Sequence, residues 1–534
     1  MDSLSQQERH LSNSSLRCIF VFLGMGTLFC YNAFVSCTDY FNALNPSKEN
    51  VSGQMVTFQL TTMFIVTIAL LPFTTLKRQE KRSEHSIGSH GSHLAFIAKV
   101  MNIVDLSSPA KRILYGFAFT FIFLFAYLLL PPSNLTSSTL NLFSTFVGIA
   151  DATSQSGLYV LAANYSQGNP PCDKDESGHE NGSNPTYTAS ATLGAALSGF
   201  IVSALRLITR SMFDTTTLAG LRKGADLLMW FAFIVSFLLV GAAIVMMRDL
   251  QCRARNACMG STPSFEMQLQ DEMGIGQAND DDNDNIRSEV IHQCKEGALI
   301  ECDDVSQMHG DDVTRQSSRI QMLGNIYRSA FRVAWKPILS AFLNFFITLS
   351  LFPGVIVDIP SSGGTISLGN WLPIVLITVF NGADCLGRYI LSFESMAPFQ
   401  LLVARRESCA TYLDEKDGHQ IRVQGHATLK YYTCLVWIPT FGRIAFFPLL
   451  AMCMLPSGSP KIHSDILTCI IVFLFGLSSG FIHCANFIIA PILVNSEEGK
   501  NAVSLLLLLA IYSGLTLGAF FGLFVEKVIR DIND

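Results

Sequence analysis

A chain of 534 residues that is 49% hydrophobic and only 15% charged is too apolar for a soluble protein, which carries about a quarter charged residues. Its formal net charge of −6 hides a segregation, because acidic residues crowd into one polar segment while most apolar stretches carry almost none. The 14 cysteines form no CxxC pair and no Cys/His run at zinc spacing, so a disulfide framework or metal site is the poorer reading and small apolar core residues the better one.

The N-terminus is polar through Ser15, and the first apolar stretch, 17–41, is too long for the core of a signal peptide. It is expected to stay in the membrane. A spanning helix needs about 20 mostly apolar residues, and such stretches recur at 54–76, 112–131, 139–163, 186–209, 226–248, 334–357, 370–394, 430–455, 465–494 and 501–527. Residues 249–332 hold no long apolar run. The expected organisation is a cytosolic N-terminus (1–16), a six-helix half (17–248), a cytosolic acidic segment too polar to fold alone (249–332) and a five-helix half (333–534). That is an all-α polytopic membrane protein of about eleven transmembrane helices.

Lys and Arg set the orientation. The second loop carries Lys77, Arg78, Lys81, Arg82, Lys99, Lys111 and Arg112, and the eighth carries Arg405, Arg406, Arg422 and Lys430. The alternate loops are almost free of basic residues; Arg222 and Lys223 alone cut against the pattern. The N-terminus is therefore expected inside and the C-terminus outside, with the sequons at Asn50 and Asn134 in outward loops as glycosylation candidates. His85–His93 reads as a Ser/Gly-rich linker and Asp280–Asn285 as a solvated acidic one, since it lacks the Gly and terminal Glu of a calcium loop.

Ionisable groups inside a span cost about 2.5–3.5 kcal/mol each. Asp151, Asp384, Arg388 and Arg443 lie deep, and together they would cost roughly 10 kcal/mol facing lipid. They must face an interior, a water-filled path or one another. In FNGADCLGR (Phe380–Arg388), Asn381, Asp384 and Arg388 recur at i, i+3 and i+7 and form one polar stripe. Asp384 and Arg388 can neutralise each other as a structural pair. Alternatively, the carboxylate accepts from substrate hydroxyls while the guanidinium donates to ring or sugar oxygens.

In the first helix, Asn32 and Asp39 are seven residues apart and expected on one side, with Tyr31 offering an aromatic surface. Asp151 stands one turn from Gln155 in the fourth helix, and Ser479, His483 and Asn486 share a stripe in the tenth. Pro439 and Pro448 flank Arg443 and predict a kink. Gly514, Gly518 and Gly522 read as helix packing. There is no phosphate-cradling glycine loop, HExxH or nucleophile elbow. The central segment is too short and acidic for a nucleotide-binding domain. No cofactor or enzyme activity is expected, and secondary transport remains.

These motifs resemble the equilibrative nucleoside transporters across nearly all the apolar spans. FNGADCLGR is similar to the family's Phe-Asn-x-x-Asp-x-x-Gly-Arg motif, the most specific of the set. FLGMGTLFCYNAFVSCTDYF (Phe22–Phe41) resembles its first-helix signature, with Cys30-Tyr31 standing where Pro-Trp is usual. FITLSLFPGV (Phe346–Val355), FGLSSGFIHCANFIIAP (Phe475–Pro491) and GLTLGA (Gly514–Ala519) resemble its seventh, tenth and eleventh helices. The resemblance implies a major-facilitator-like fold of six plus five helices around a central site. It implies that Asp384 and Arg388 contact ribose, that Gln155 contacts the base and that Tyr31 lines the cavity.

GAALSG (Gly194–Gly199) places Ala195 where the family has Gln, an insert runs from about Tyr165 to Asn184, and Asp151 is an acid at an ordinarily uncharged position. The expected function is alternating-access transport of nucleosides or nucleobases across the plasma membrane, facilitative or proton-coupled. No nucleic-acid polymer is expected as partner. Asp151, Asp39 and His483 are the candidates for proton or cation coupling, and Arg443 is an interior charge. A hydrogen-bonded or ion-paired structural role, with Arg443 as one possible partner, is the alternative for Asp151. An organic-cation carrier of the same family and a non-transporting membrane scaffold or receptor are the competing functions.

Overall fold

In the computed structural model, the described residues are 11–45, 51–71, 108–165, 187–214, 216–259, 311–352, 354–361, 367–392, 436–454, 464–494 and 496–533. The chain forms two compact units. One comprises 1–10 and 247–325, whose described parts are helical at 247–259 and 311–325. The other comprises 11–246 and 326–534 and carries every residue discussed below. Asn50, His85–His93 and Asp280–Asn285 lie outside the described residues.

Every long element is helical. The first six are α1 (Asn13–Ser36), α2 (Val51–Leu70), α3 (Pro109–Leu129), α4 (Ser137–Tyr165), α5 (Tyr187–Met212) and α6 (Leu218–Met259). Then come α7 (Asp311–Leu351), α8 (Leu372–Ser392), α9 (Val436–Met454), α10 (Asp465–Ile492) and α11 (Glu497–Asn533). α6 and α7 both continue past the apolar stretches that nucleate them, into the segment hydropathy assigns to the central loop.

Among the described residues, ten helices are long and apolar enough to cross a membrane. α4 has the length, 29 residues, but is not among those ten. From Ala150 to Ala163 it is buried at every position but Thr153, and several of those buried positions are Ser, Asp or Gln. A helix enclosed by other helices is released from the hydropathy that lipid contact demands. The lipid-facing surfaces carry the opposite signature, with Ile122, Phe125, Phe237, Leu474 and Phe524 exposed.

Local chemistry explains the ends and breaks. Ser12 caps α1 by accepting from the Ser15 amide at 3.2 Å, and Ser464 caps α10, whose first turn carries Asp465. Pro109 occupies the first turn of α3, where its missing N–H costs nothing. In α9, Pro448 lacks an N–H and its ring crowds the carbonyl of Ile444. The backbone tightens there into a 3-10 turn, Arg443–Ala445, which is the interruption the flanking prolines predict. α1 stops at Cys37, and a separate short helix, Thr38–Leu44, carries Asp39.

The bundle closes through small residues. α1 packs along α5, α8 along α10, α4 against α2 and α3, α5 along α8, and α11 against α2 and α4. A methyl on Gly514 or Gly518 would lie 2.5 or 2.6 Å from the carbonyl oxygens of Phe342 and Phe346, so the glycine repeat of α11 packs on α7. A side chain on Gly194 would overlap the Val21 carbonyl of α1, and one on Gly480 the Asp384 carbonyl of α8. Close backbone approach of this kind replaces the hydrophobic drive that lipid does not supply.

Gly194→Val and Gly480→Val should each destabilise the detergent-solubilised protein by roughly 1–3 kcal/mol through overpacking. Gly241→Ala, which meets nothing within 4 Å, should be neutral or slightly stabilising. Thermal loss of monodisperse protein measures all three.

Candidate substrate site

The polar stripe of α8 faces α5. Arg388 Nη2 lies 2.7 Å from Asp384 Oδ2, and the two residues are 6% and 7% exposed. Taking both charges out of water is costly, and the pair repays it only by mutual neutralisation and further hydrogen bonds. Arg388 Nη1 donates to the Thr192 carbonyl of α5 at 2.9 Å, while its Nε is buried without a partner. About two turns from Arg388, Asn381 Nδ2 donates to Ser203 Oγ of α5 at 2.7 Å.

α5 is the hub. Asn32 Nδ2 of α1 donates to Ser198 Oγ at 2.8 Å. A methyl on the adjacent Gly199 would lie 3.2 Å from Asn381 Oδ1 and 3.6 Å from Asn32 Nδ2, so the two asparagines converge over that glycine. The small residues of GAALSG make room for both, with Ala195 buried beneath. Ser198, Ser203 and Thr192 were not legible as site residues, because a serine or threonine inside an apolar helix usually bonds its own backbone.

Gln155 of α4 is gripped at both ends of its amide. Its Nε2 donates to the Thr27 carbonyl of α1 at 3.3 Å, and its Oε1 accepts from the Tyr512 hydroxyl of α11 at 2.8 Å. Tyr31, half-buried, falls within electrostatic reach of Asp151. Asp151 is 1% exposed and accepts from Gln59 Nε2 of α2 at 3.0 Å.

Two expectations need correction. Asp151 does not pair with Arg443. That guanidinium donates to the Phe475 carbonyl at 2.6 Å, to Ser478 Oγ at 2.7 Å and to Thr348 Oγ1 at 2.8 Å, and lies 4.3 Å from the Phe475 ring. All these partners belong to α7 and α10, so Arg443 braces the second set of helices internally. Asp39 lies past the break at Cys37, on a separate short helix, yet like Asn32 it still faces α5, where it forms an ion pair with Arg206. Finally, the deep charges number more than four. Arg206 is 3% and Arg112 0% exposed; Arg112 stands in the first turn of α3 and Arg206 one turn inside the last turn of α5, near the ends from which a long side chain ordinarily reaches the headgroups.

His483 is 5% exposed, and neither ring nitrogen has a hydrogen-bond partner. Phe345 and Phe487 each place a ring 5.0 Å from it. On the same stripe, Asn486 Nδ2 donates to Ser340 Oγ at 3.1 Å, and the Ser479 carbonyl accepts from Asn344. Asn134 is exposed at the end of a 3-10 turn, as a glycosylation site must be. A groove of about 430 Å³ lined by Leu368, Val379, Ile466 and Phe473 lies apart from this polar cluster. Its apolar walls, with Ile466 51% exposed, suit acyl chains rather than a polar ligand.

The polar groups from α1, α5 and α8 thus converge, and Gln155 adds a second polar contact between α4 and α11. A carboxylate, a guanidinium and several amides without a metal-ligand set suit a small, uncharged, hydroxyl- and carbonyl-rich molecule.

No family model matches the chain. Equilibrative nucleoside transporter 4 of Homo sapiens is 28% identical over 200 residues, covering 38% of this chain but only 30% of that protein's length. Equilibrative nucleotide transporter 7 of Arabidopsis thaliana is 23% identical over 390 residues, covering 71% of this chain and 73% of that protein. Among solved structures, the major facilitator superfamily proton:xylose symporter XylE aligns over 98% of this chain and 97% of its own, at 10% identity and a TM-score of 0.46. The curated relatives carry the family name that the helix motifs resemble.

Tyr512→Phe should leave Gln155 Oε1 buried without its donor. A loss of about 1–3 kcal/mol is expected, visible as a lower thermal midpoint, with Gln155→Leu in the Tyr512→Phe background recovering part of it.

Proposed function

We propose, from a chain whose curated relatives are equilibrative nucleoside and nucleotide transporters, that this protein carries nucleosides or nucleobases across the plasma membrane by alternating access. The single observation that supports this most is the buried Asp384–Arg388 pair, tied across to the α5 backbone while one guanidinium nitrogen stays unpartnered. Asp384 accepts from sugar hydroxyls, the Arg388 fork donates to sugar or ring oxygens, the Gln155 amide meets the base edge and Tyr31 offers an aromatic wall. The N-terminus faces the cytosol and the C-terminus the outside.

The mechanism follows from where the hydrogen bonds lie. Among the described residues, those between the first six and last five helices join α5 with α8, with α10 and with the turn before α8, α4 with α11, and α7 with the end of α2. A substrate that replaces the Thr192 carbonyl on Arg388, or the Tyr512 hydroxyl on Gln155, compensates the bonds it breaks. The two sets of helices can then rock about a midplane site without leaving buried polar groups stranded.

Arg388→Lys keeps the cation and loses bidentate donation. Uptake of labelled uridine and adenosine should fall about tenfold or more at normal surface abundance. Normal uptake by the Lys variant would reduce the role of Arg388 to charge balance. Running monoamines beside the nucleosides separates the organic-cation carrier, and absence of any flux would favour the scaffold.

Proton-linked transport is a second reading, favoured by Asp151, a buried carboxylate whose partner is a neutral amide. Coupling requires wild type to accumulate nucleoside above equilibrium at outside pH 5.5 but not at 7.5. Asp151→Asn should abolish accumulation while retaining exchange. Simple equilibration at both pH values makes the protein a facilitator, with Asp151–Gln59 as a hydrogen-bonded brace between α4 and α2.

A further inference from the structure

His483 is the one histidine set deep in the bundle among the described residues, and its hydrogen-bonding capacity is unused. An imidazole always carries at least one N–H donor, and when neutral it also offers an acceptor. Burying both without partners costs free energy that native structures ordinarily avoid. Here both nitrogens are buried and unpartnered in a residue 5% exposed. The ring is not a packing filler by default, because the two aromatic neighbours at 5.0 Å, Phe345 and Phe487, offer it no conventional hydrogen bond.

Its surroundings locate it at the site rather than in a remote core. His483 lies within electrostatic reach of Arg388, whose Nε is likewise buried without a partner. Adjacent in sequence, Cys484 accepts from the Thr192 hydroxyl at 3.5 Å, and the Thr192 carbonyl is the group Arg388 holds. One turn along α10, Phe487 stacks on Tyr159 of α4 at 4.4 Å, closing one side of the imidazole with a residue from the first set of helices. Gln155, the base-reading candidate, has its partners on α1 and α11. At the Arg388 end, by contrast, Arg388 Nε and both His483 nitrogens are unfilled.

We propose that His483 is a specificity-determining residue that hydrogen-bonds one sugar hydroxyl of the substrate, a group that can both give and take a hydrogen bond as the imidazole does. This rests on the nucleoside reading above and deepens it. Asp384 and Arg388 supply charge at the sugar, whereas His483 supplies a neutral partner that discriminates by the presence of one particular hydroxyl. A polar group built to meet a hydroxyl strongly rejects the analogue that lacks it, since its own atoms are then left stranded.

The test is competitive uptake of adenosine against its 2′-, 3′- and 5′-deoxy analogues in wild type, His483→Phe and His483→Gln. In wild type, each analogue lacking a contacted hydroxyl is expected to be discriminated against. In His483→Phe the discrimination for one of the three should collapse by about tenfold toward unity while the other two persist. In His483→Gln, which keeps a donor and an acceptor, the same ratio should shift by an intermediate amount, so the test survives if the Phe variant fails to reach the membrane. Unchanged ratios in both variants, or in the Gln variant alone if the Phe variant does not fold, overturn the assignment. So does a uniform fall for all substrates, or loss of a pH response with the ratios intact. Wild type that carries nucleosides without discriminating any hydroxyl overturns the His483 role alone. Wild type that carries no nucleoside overturns the transport reading and this one with it.

Discussion

The arrangement of the bundle depends on the charge pair one turn apart on α8. Asp384 and Arg388 cannot face lipid, so that face of α8 must be interior. Once there, the pair's remaining hydrogen-bonding capacity has to be met by neighbouring helices. α5 meets it with a backbone carbonyl, which requires close approach, and close approach requires the small residues of its central turn. The Gly480 contact on the other flank of α8 serves the same end, bringing α10 and His483 up to the pair.

Two buried arginines show how context separates structure from function. Arg443 is met by a carbonyl, two hydroxyls and an aromatic face, all from helices of the second set. Its Nε is buried without a partner, as that of Arg388 is, but every partner it has lies within that set. Arg388 instead reaches from one set to the other. A guanidinium that reaches between two sets of helices is placed to trade partners; one whose partners all lie within a single set is not.

The same division runs through α4. Gln59 holds Asp151 within the first set, whereas Gln155, one turn on, bonds both α1 and α11. Polarity in this helix costs it hydropathy, yet nearly every residue in its second half is enclosed. Polar contacts between the two sets are few and carried by single side chains, while contacts within each set use backbone approach over glycine.

The sequence by itself determined the membrane setting, the helix order and the α8 stripe, because hydropathy, helix period and charge burial are properties of the local chain. It also determined the α9 interruption, since proline acts on its own turn. It did not determine that α1 breaks before Asp39, nor who partners whom. Asp151 with Gln59, Arg206 with Asp39 and Gln155 with Tyr512 join residues distant in sequence. Serines and threonines that close the site look identical to those that bond their own backbone. Only packing decides these, because a polar side chain in a membrane takes whichever partner the neighbouring helix brings within reach.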